Sequence, residues 1–264
     1  MVRNIRADEI ERMDVPVLAI GNDYAHGHAI PPHHHWRGQL LFGTSGVVVV
    51  STPTGTWVMP PQRGMWIPPG TQHHVRMLGA VSVESILLAP DLAADMPGHC
   101  QVVAITPFMR SLIGKALDLP LAYEADSHAG ALMALIQHEM RQLPVLPLSL
   151  PLPVHAALAR RCRQFLLEPK VHEAIEDWAA SLAMSRRSFT RLFRRETGMS
   201  FLNWRQQACL VTALPRLVAG EAVTSVALDL GYDNPAAFTS MFKRVLGASP
   251  RVYLRDAYLK DNAP

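Results

Sequence analysis

The sequence predicts an α+β chain of two domains, an all-β barrel or sandwich followed by helices and then an all-helical unit. Three observations carry this prediction. At 264 residues the chain is longer than one comfortable domain, because compact domains run to roughly 100 to 200 residues. Strand-like runs fill residues 36–90 and give way to helical periodicity from Pro107. Beyond a proline-rich stretch, the chain repeats a helical unit at a spacing of 48 to 49 residues.

The elements follow in order. GVVVV, TWVM, MWIP, HHVRM and SVESILL read as short strands, separated by TSG, PTG, PPQRG and PPG turns. PFMRSLIGKALDL and SHAGALMALIQHEMRQL read as helices, the second placing Leu132, Leu135, Ile136 and Met140 three and four residues apart. Prolines 144, 147, 151 and 153 exclude a helix interior over 143–153, which reads as an extended connector. The expected divisions are therefore a β domain over 1–106, a helical segment with linker over 107–153 and a helical domain over 154–264.

Composition narrows the function classes. Hydrophobic residues make up 49% of the chain and charged ones 18%, which supplies two cores and excludes a disordered protein. Cys100, Cys162 and Cys209 are odd in number and show no CxxC spacing, so neither a disulfide framework nor a cysteine zinc site is expected. The first twenty residues mix acids with bases and read as no secretory signal, and no run approaches the ~20 apolar residues of a membrane span. A cytoplasmic protein is expected, with no membrane partner. Of the 25 Lys and Arg, 9 precede Val154 and 16 follow it; of the 22 Asp and Glu, 12 precede and 10 follow. The basic excess lies entirely in the second half, as a polyanion partner requires.

The repeat gives that half its form. Ile175, Trp178, Ala179 and Leu182 recur as Val223, Val226, Ala227 and Leu230, each set one buried helix face. Phe189, Thr190, Phe193, Arg195, Gly198 and Ser200 recur 49 residues later as Phe238, Thr239, Phe242, Arg244, Gly247 and Ser249. The shift from 48 to 49 puts one extra residue into the second turn, near Gly231 to Asn234. Two helix-turn-helix units result, whose second helices are built to enter a DNA major groove. In the first, Phe189, Leu192 and Phe193 pack, and Arg186, Arg187, Thr190, Arg191 and Arg194 face outward behind a Ser185 N-cap. In the second, Phe238, Met241 and Phe242 pack, and Pro235, Ala236, Ser240 and Lys243 face outward behind Asn234 as N-cap. Arg187 and Arg191 can each offer guanine a bidentate fork. A solvated basic helix in a bundle would show the same residues, but it would need neither the repeat nor the charge asymmetry.

The stretches WAASLAMSRRSFTRLFRRETGMSFLNWR (178–205) and VTSVALDLGYDNPAAFTSMFKRVLGASPRVYLR (223–255) closely resemble the DNA-binding domain of AraC/XylS-type transcriptional regulators. The resemblance implies two units joined by a long helix, about Ser200 to Leu217, that enter successive major grooves of double-stranded promoter DNA. It places base contacts on Arg187, Thr190 and Arg191, and on Pro235, Ala236 and Ser240. It also makes the helix over 128–142 a dimerisation element and RNA polymerase a further partner, while the stripe of that helix by itself calls only for a partner, with the barrel and the preceding helix as the alternatives to a second copy. Small residues in the second unit depart from the longer donors of many relatives.

His33, His35, Gln39 and Gly46 fit the first motif of the cupin family, and Pro68, Gly70 and His73 fit the second. The N-terminal half thus resembles a cupin sensor barrel responding to a small-molecule or metal effector. There the two segments would face each other, and His33, His35 and His73 would converge on a divalent ion with Gln39 in place of the usual Glu. A neutral oxygen beside imidazoles favours nickel, zinc or copper. The alternative is a metal-free barrel whose histidines bind an effector or one another. His26, His28, His34 and His74 read as surface or supporting groups, and Trp57, Met59, Met65 and Trp66 as core. A metal-dependent cupin enzyme, a dioxygenase or isomerase with an accessory helical domain, is the competing function; no general acid/base pair stands beside the histidines, and no catalytic residue is assigned.

Overall fold

A computed structural model describes residues 13–258. Much of the segment read as free of a secretory signal lies in residues 1–12, outside those described. No helix among the described residues is long and apolar enough to cross a membrane. The chain forms two compact units, 13–52 with 59–146 and 53–58 with 147–258.

The first unit is a β-rich sheet domain. Its strands are β1 (Val17–Tyr24), β2 (Ala29–His33), β3 (Gly38–Thr52), β5 (Arg63–Ile67), β6 (His73–Leu88), β7 (Gln101–Ala104) and β8 (Val145–Leu146), while β4 (Gly55–Met59) begins in the other unit. Antiparallel pairing runs β1-β6-β3-β5-β7-β8, with β2 also on β6. HHVRM and SVESILL, read as separate strands, are one strand, β6, whose Gly79 is left-handed at φ 85°. Gly46 is also left-handed, at φ 66°, where the β3 register shifts, and a Cβ there would meet Val81 Cγ2 at 2.5 Å and the Ala80 carbonyl at 2.7 Å. Only glycine fits both demands.

After the short α1 (Pro90–Ala93), the helices α2 (Pro107–Ala116) and α3 (His128–Met140) pack on the sheet. Thr106 Oγ1 accepts from Met109 N, and Ser127 Oγ accepts from Gly130 N, each capping its helix. Met109, Leu112, Ile113, Met133, Ile136 and Met140 share one core with Val17, Ala19, Leu40, Phe42 and Trp66. The expected α3 stripe is corrected. Ala129, Met133, Ile136 and Met140 are buried, whereas Leu135 is exposed and Leu132 half-buried. Gly130 decides the face, since a Cβ there would lie 2.1 Å from the Ala125 carbonyl and only glycine lets that side close in.

The second unit holds β4, β9 (Ser149–Pro151), α4 (Ala156–Leu167), α5 (Ile175–Ser181), α6 (Arg186–Thr197), α7 (Phe201–Val218), α8 (Val223–Asp229), α9 (Pro235–Leu246) and α10 (Pro250–Tyr258). Residues 143–153 are extended as expected but are not a free connector. β8 pairs with β7, β9 pairs with β4, and the division falls between Leu146 and Pro147. Pro147 and Pro151 take part through their carbonyls, so their missing donors cost nothing: Gln207 Nε2 donates to Pro147 O at 2.8 Å and Ser149 O at 2.6 Å, and Trp204 Nε1 to Pro151 O at 2.8 Å. Phe165, Trp178, Phe189, Phe193, Phe201 and Trp204 form the core of the first helical pair, mostly in edge-to-face contacts.

Candidate functional site

The second helices of the two helix-turn-helix units, α6 and α9, are built alike. Ser185 Oγ accepts from Ser188 N at 3.2 Å and starts α6; Asn234 Oδ1 accepts from Ala237 N at 2.9 Å and starts α9, with Pro235 at its first position. Gly198 and Gly247, left-handed at φ 72° and 81°, end them. Four residues separate α5 from α6 and five separate α8 from α9, the extra residue the repeat required. Phe189, Leu192, Phe193, Phe238, Met241 and Phe242 are buried. Ser185, Arg186, Arg187, Thr190, Arg191, Arg194, Asn234, Ala236, Ser240 and Lys243 are exposed, and Pro235 is half-buried.

Two contacts refine the chemistry of that face. Arg186 is paired with Glu176 at 3.0 Å, across from α5. Thr190 Oγ1 donates to the Arg186 carbonyl at 2.8 Å, which leaves its oxygen acceptor capacity only.

The sheet domain gathers the imidazoles. His33 is directly opposite His73 in the β2–β6 register. Pro68, Pro69, Gly70 and Thr71 form a tight turn in which Thr71 N donates to Pro68 O, with Gly70 left-handed at φ 71°. Gly70 N donates to the His35 carbonyl at 2.7 Å, and the Thr71 carbonyl accepts from His73 Nδ1 at 2.8 Å. That turn therefore fixes the position of two histidines at once. The ligand atoms of His33, His35 and His73 all lie within 4.8 Å of one another. His33 Nδ1 faces the Pro31 carbonyl at 2.9 Å, as His73 Nδ1 faces that of Thr71.

A carbonyl only accepts, so both Nδ1 atoms carry a proton, and in the neutral ring the lone pair then lies on Nε2, the tautomer a metal-bound histidine adopts. Burial, against a raising contribution from the Thr71 carbonyl, pushes His73 down to about 4, with His33, His35 and His74 adding to the lowering. The ring is neutral at physiological pH. The donor set fits an imidazole-bound divalent ion. Gln39 is half-buried on β3 and its Nε2 donates to Ser85 Oγ at 3.0 Å, which steadies the amide.

Of the other histidines, His26 Nδ1 accepts from Gly79 N and His28 stacks on Tyr24, while His34 and His74 are exposed. Trp57, Met59, Met65 and Trp66 are buried, as expected of core. The three cysteines are buried free thiols, pushed by burial up to about 11 at Cys100 and about 12 at Cys162 and Cys209.

Sequence reasoning missed the groups that hold the helical unit in place. Glu173 accepts from Arg161 Nη2 and Trp178 Nε1, both at 2.6 Å. Glu196, on α6, accepts from the backbone amides of Val154 and His155 at the start of α4. Gln207 and Trp204 secure β9. Their partners lie 5 to 60 residues away, and no local spacing marks them.

Residues 178–256 match the family model of a helix-turn-helix domain, and residues 15–143 match that of an AraC-like ligand-binding domain. Fold and match together define a DNA-binding transcriptional regulator with a ligand-binding domain ahead of its reading helices. The chain is 34% identical over 224 residues to the HTH-type transcriptional regulator NimR of Escherichia coli strain K12, covering 85% of this chain and 82% of NimR. It is 26% identical over 151 residues to the arabinose operon regulatory protein of Salmonella typhimurium, covering 54% of this chain and 52% of that one. The crystal structure of the DNA-binding domain of AdpA with a target DNA is 34% identical, covers 40% of this chain and 96% of that one, and has a TM-score of 0.37. The chain belongs to the AraC family of helix-turn-helix transcriptional regulators.

Proposed function

We propose that this regulator is switched by an effector, a divalent metal ion or a small molecule, at His33, His35 and His73, and that occupancy changes how α6 and α9 engage promoter DNA. The observation that carries the reading is the pair of backbone carbonyls that hold the Nδ1 protons of His33 and His73, because they preset both rings to bind through Nε2. Those three imidazoles, with Gln39 Oε1 as the oxygen donor, would hold nickel, zinc or copper, which would supply a fixed positive charge to an anionic ligand.

On DNA, Arg187, Thr190 and Arg191 read bases from α6, and Pro235, Ala236 and Ser240 contact them from α9. Arg186, Arg194 and Lys243 meet phosphates, with Ser185 and Asn234 holding the helix starts against the backbone. The relatives are regulators, and the triad is read as a receptor, not a catalytic centre. The protein is also read as a homodimer that contacts RNA polymerase, with exposed Phe108 and Leu135 offered to the second copy.

The test is elemental analysis of untagged protein, followed by footprinting on DNA beside its own gene with nickel, zinc, copper or a chelator. Bound metal that is lost in the His33→Ala, His73→Ala double variant, together with a footprint that responds to it, is the expected result. Full metal content in that variant would place the ion elsewhere. A footprint indifferent to every addition would remove the metal from the switch.

A further inference from the structure

α7 is the continuous backbone joining the two helix-turn-helix units, and it carries a weakness. Its 18 residues span about 27 Å. Pro215 lies inside it, leaving the Val211 carbonyl without its helical donor and crowding the preceding turn, the usual origin of a helix kink. Beyond Pro215 lie α8 and α9, and one exposed tie already crosses the weakened turn, Arg244 Nη2 of α9 donating to Gln206 Oε1 of α7 at 3.1 Å.

A second path bridges the weak turn. On one side, the Glu173 carbonyl accepts from Arg205 Nη1 of α7, while its carboxylate holds Arg161 of α4 and Trp178 of α5. Three residues earlier, Lys170 Nζ donates to the Asp229 carbonyl and, beside it, Val171 N donates to the Leu230 carbonyl, each at 2.8 Å. These are carbonyls at the end of α8, where the helix has no donors of its own. The Asp229 carboxylate in turn accepts from Arg216 Nη2, back on α7, and Arg216 also holds Glu221. The path Arg205, Glu173, Lys170, Asp229, Arg216 leaves α7 and rejoins it eleven residues later, about 16 Å along the axis, with Pro215 inside the bridged stretch. Bending at Pro215 would have to break one of these links.

We propose that the α4–α5 connector, through Lys170, Val171 and Glu173, fixes the separation of the two reading helices and so makes the protein selective for the spacing between the base-pair groups they read. One base pair more or less moves the second group by about 3.4 Å and turns it by about 34°. A braced pair of helices matches one spacing; a hinged pair tolerates neighbours. The proposal rests on α6 and α9 being the reading helices.

The test uses the full chain and an operator selected from random duplexes, remade with one base pair added or removed between the two contacted groups. Wild type should lose at least tenfold in affinity on either change. Lys170→Met and Asp229→Ala should bind the native spacing within a few-fold of wild type and lose several-fold less on the altered ones, while Lys170→Arg, which keeps a donor, should restore the wild-type ratio. A merely less stable domain would bind every spacing more weakly by the same factor. Folded Lys170→Met and Asp229→Ala with an unchanged spacing ratio, or a wild type indifferent to spacing, would overturn the proposal. Arg187→Ala is run alongside: if it leaves base preference unchanged, the assignment of α6 fails, which is a different result from an unchanged spacing ratio.

Discussion

Replacing Arg187 or Arg191 with Ala takes a guanidinium off the exposed face of the first turns of α6. Among the described residues neither side chain is held in an ion pair, whereas Arg186 beside them is tied to Glu176. No protein partner has to be given up before either meets a base. A bidentate guanine contact discriminates by about 1 to 3 kcal/mol, so each variant should weaken operator binding about 5- to 150-fold and random DNA much less. On α9, Pro235 and Ala236 bring no side-chain donor and Ser240 a short hydroxyl, so Ser240→Ala should cost far less. Phosphate neutralisation separates cleanly from base reading. Arg194→Ala or Lys243→Ala should weaken all sequences alike and reduce the slope of log affinity against log salt by about 0.9 for each phosphate that is no longer neutralised. The assay is titration of each variant on the operator and on base-substituted operators at one salt concentration. Equal loss on operator and random DNA for Arg187→Ala and Arg191→Ala, with Ser240→Ala relaxing preference at one base pair, would refute the reasoning by reversing the reading and anchoring roles.

Three further outcomes concern the scaffold. Tyr232 buries a hydroxyl that has no hydrogen-bond partner among the described residues, so Tyr232→Phe should leave the urea midpoint unchanged or raise stability by up to about 1 kcal/mol; a clear loss would reveal a bond to water. Gln207→Leu removes both bonds to the β9 segment and should cost about 2 to 3 kcal/mol in chemical unfolding, and a neutral result would mean that β9 is not held there. The His155 amide, with Arg195 and the Val154 amide, holds the Glu196 carboxyl below its ordinary value. Its contribution is therefore present above the unfolded value and lost as pH falls through the lowered one. The stability gap between wild type and Glu196→Gln should be full at neutral pH and close below about pH 4, and a gap that ignores pH would exclude a charge effect.

What could be read from the sequence follows from where each signal is stored. The reading helices are amphipathic, capped and repeated, so burial and exposure along α6 and α9 could be assigned residue by residue. The strand β1 could not, because VLAI is buried on both faces: Val17 and Ala19 enter the core under α2 and α3, Leu18 and Ile20 a second cluster with Leu87. Alternation, the usual mark of a strand, is erased there. The histidine triad was legible as motif spacing, but the tautomers were not, since they depend on the carbonyls of Pro31 and Thr71. Prolines led residues 143–153 to be read as a connector. Their carbonyls, which proline leaves untouched, are what Gln207 and Trp204 hold.

The placement of β4 bears on how such regulators can be recombined. Residues 53–58 lie within the stretch that matches the ligand-binding domain, and β4 pairs with β3, yet Gly55, Thr56 and Trp57 also pair with Pro151, Leu150 and Ser149, which groups residues 53–58 with the second compact unit. A hybrid made by splicing a foreign sensor onto Pro147 would leave this strand behind with the discarded half. β9 would then present a bare edge unless the incoming sensor carried an equivalent hairpin insertion. Exchange of input modules therefore calls for two compatible crossovers, one at each end of β4, in addition to the obvious one at residue 147, and chimaeras cut only at that single junction should be less stable than those that also carry β4 across.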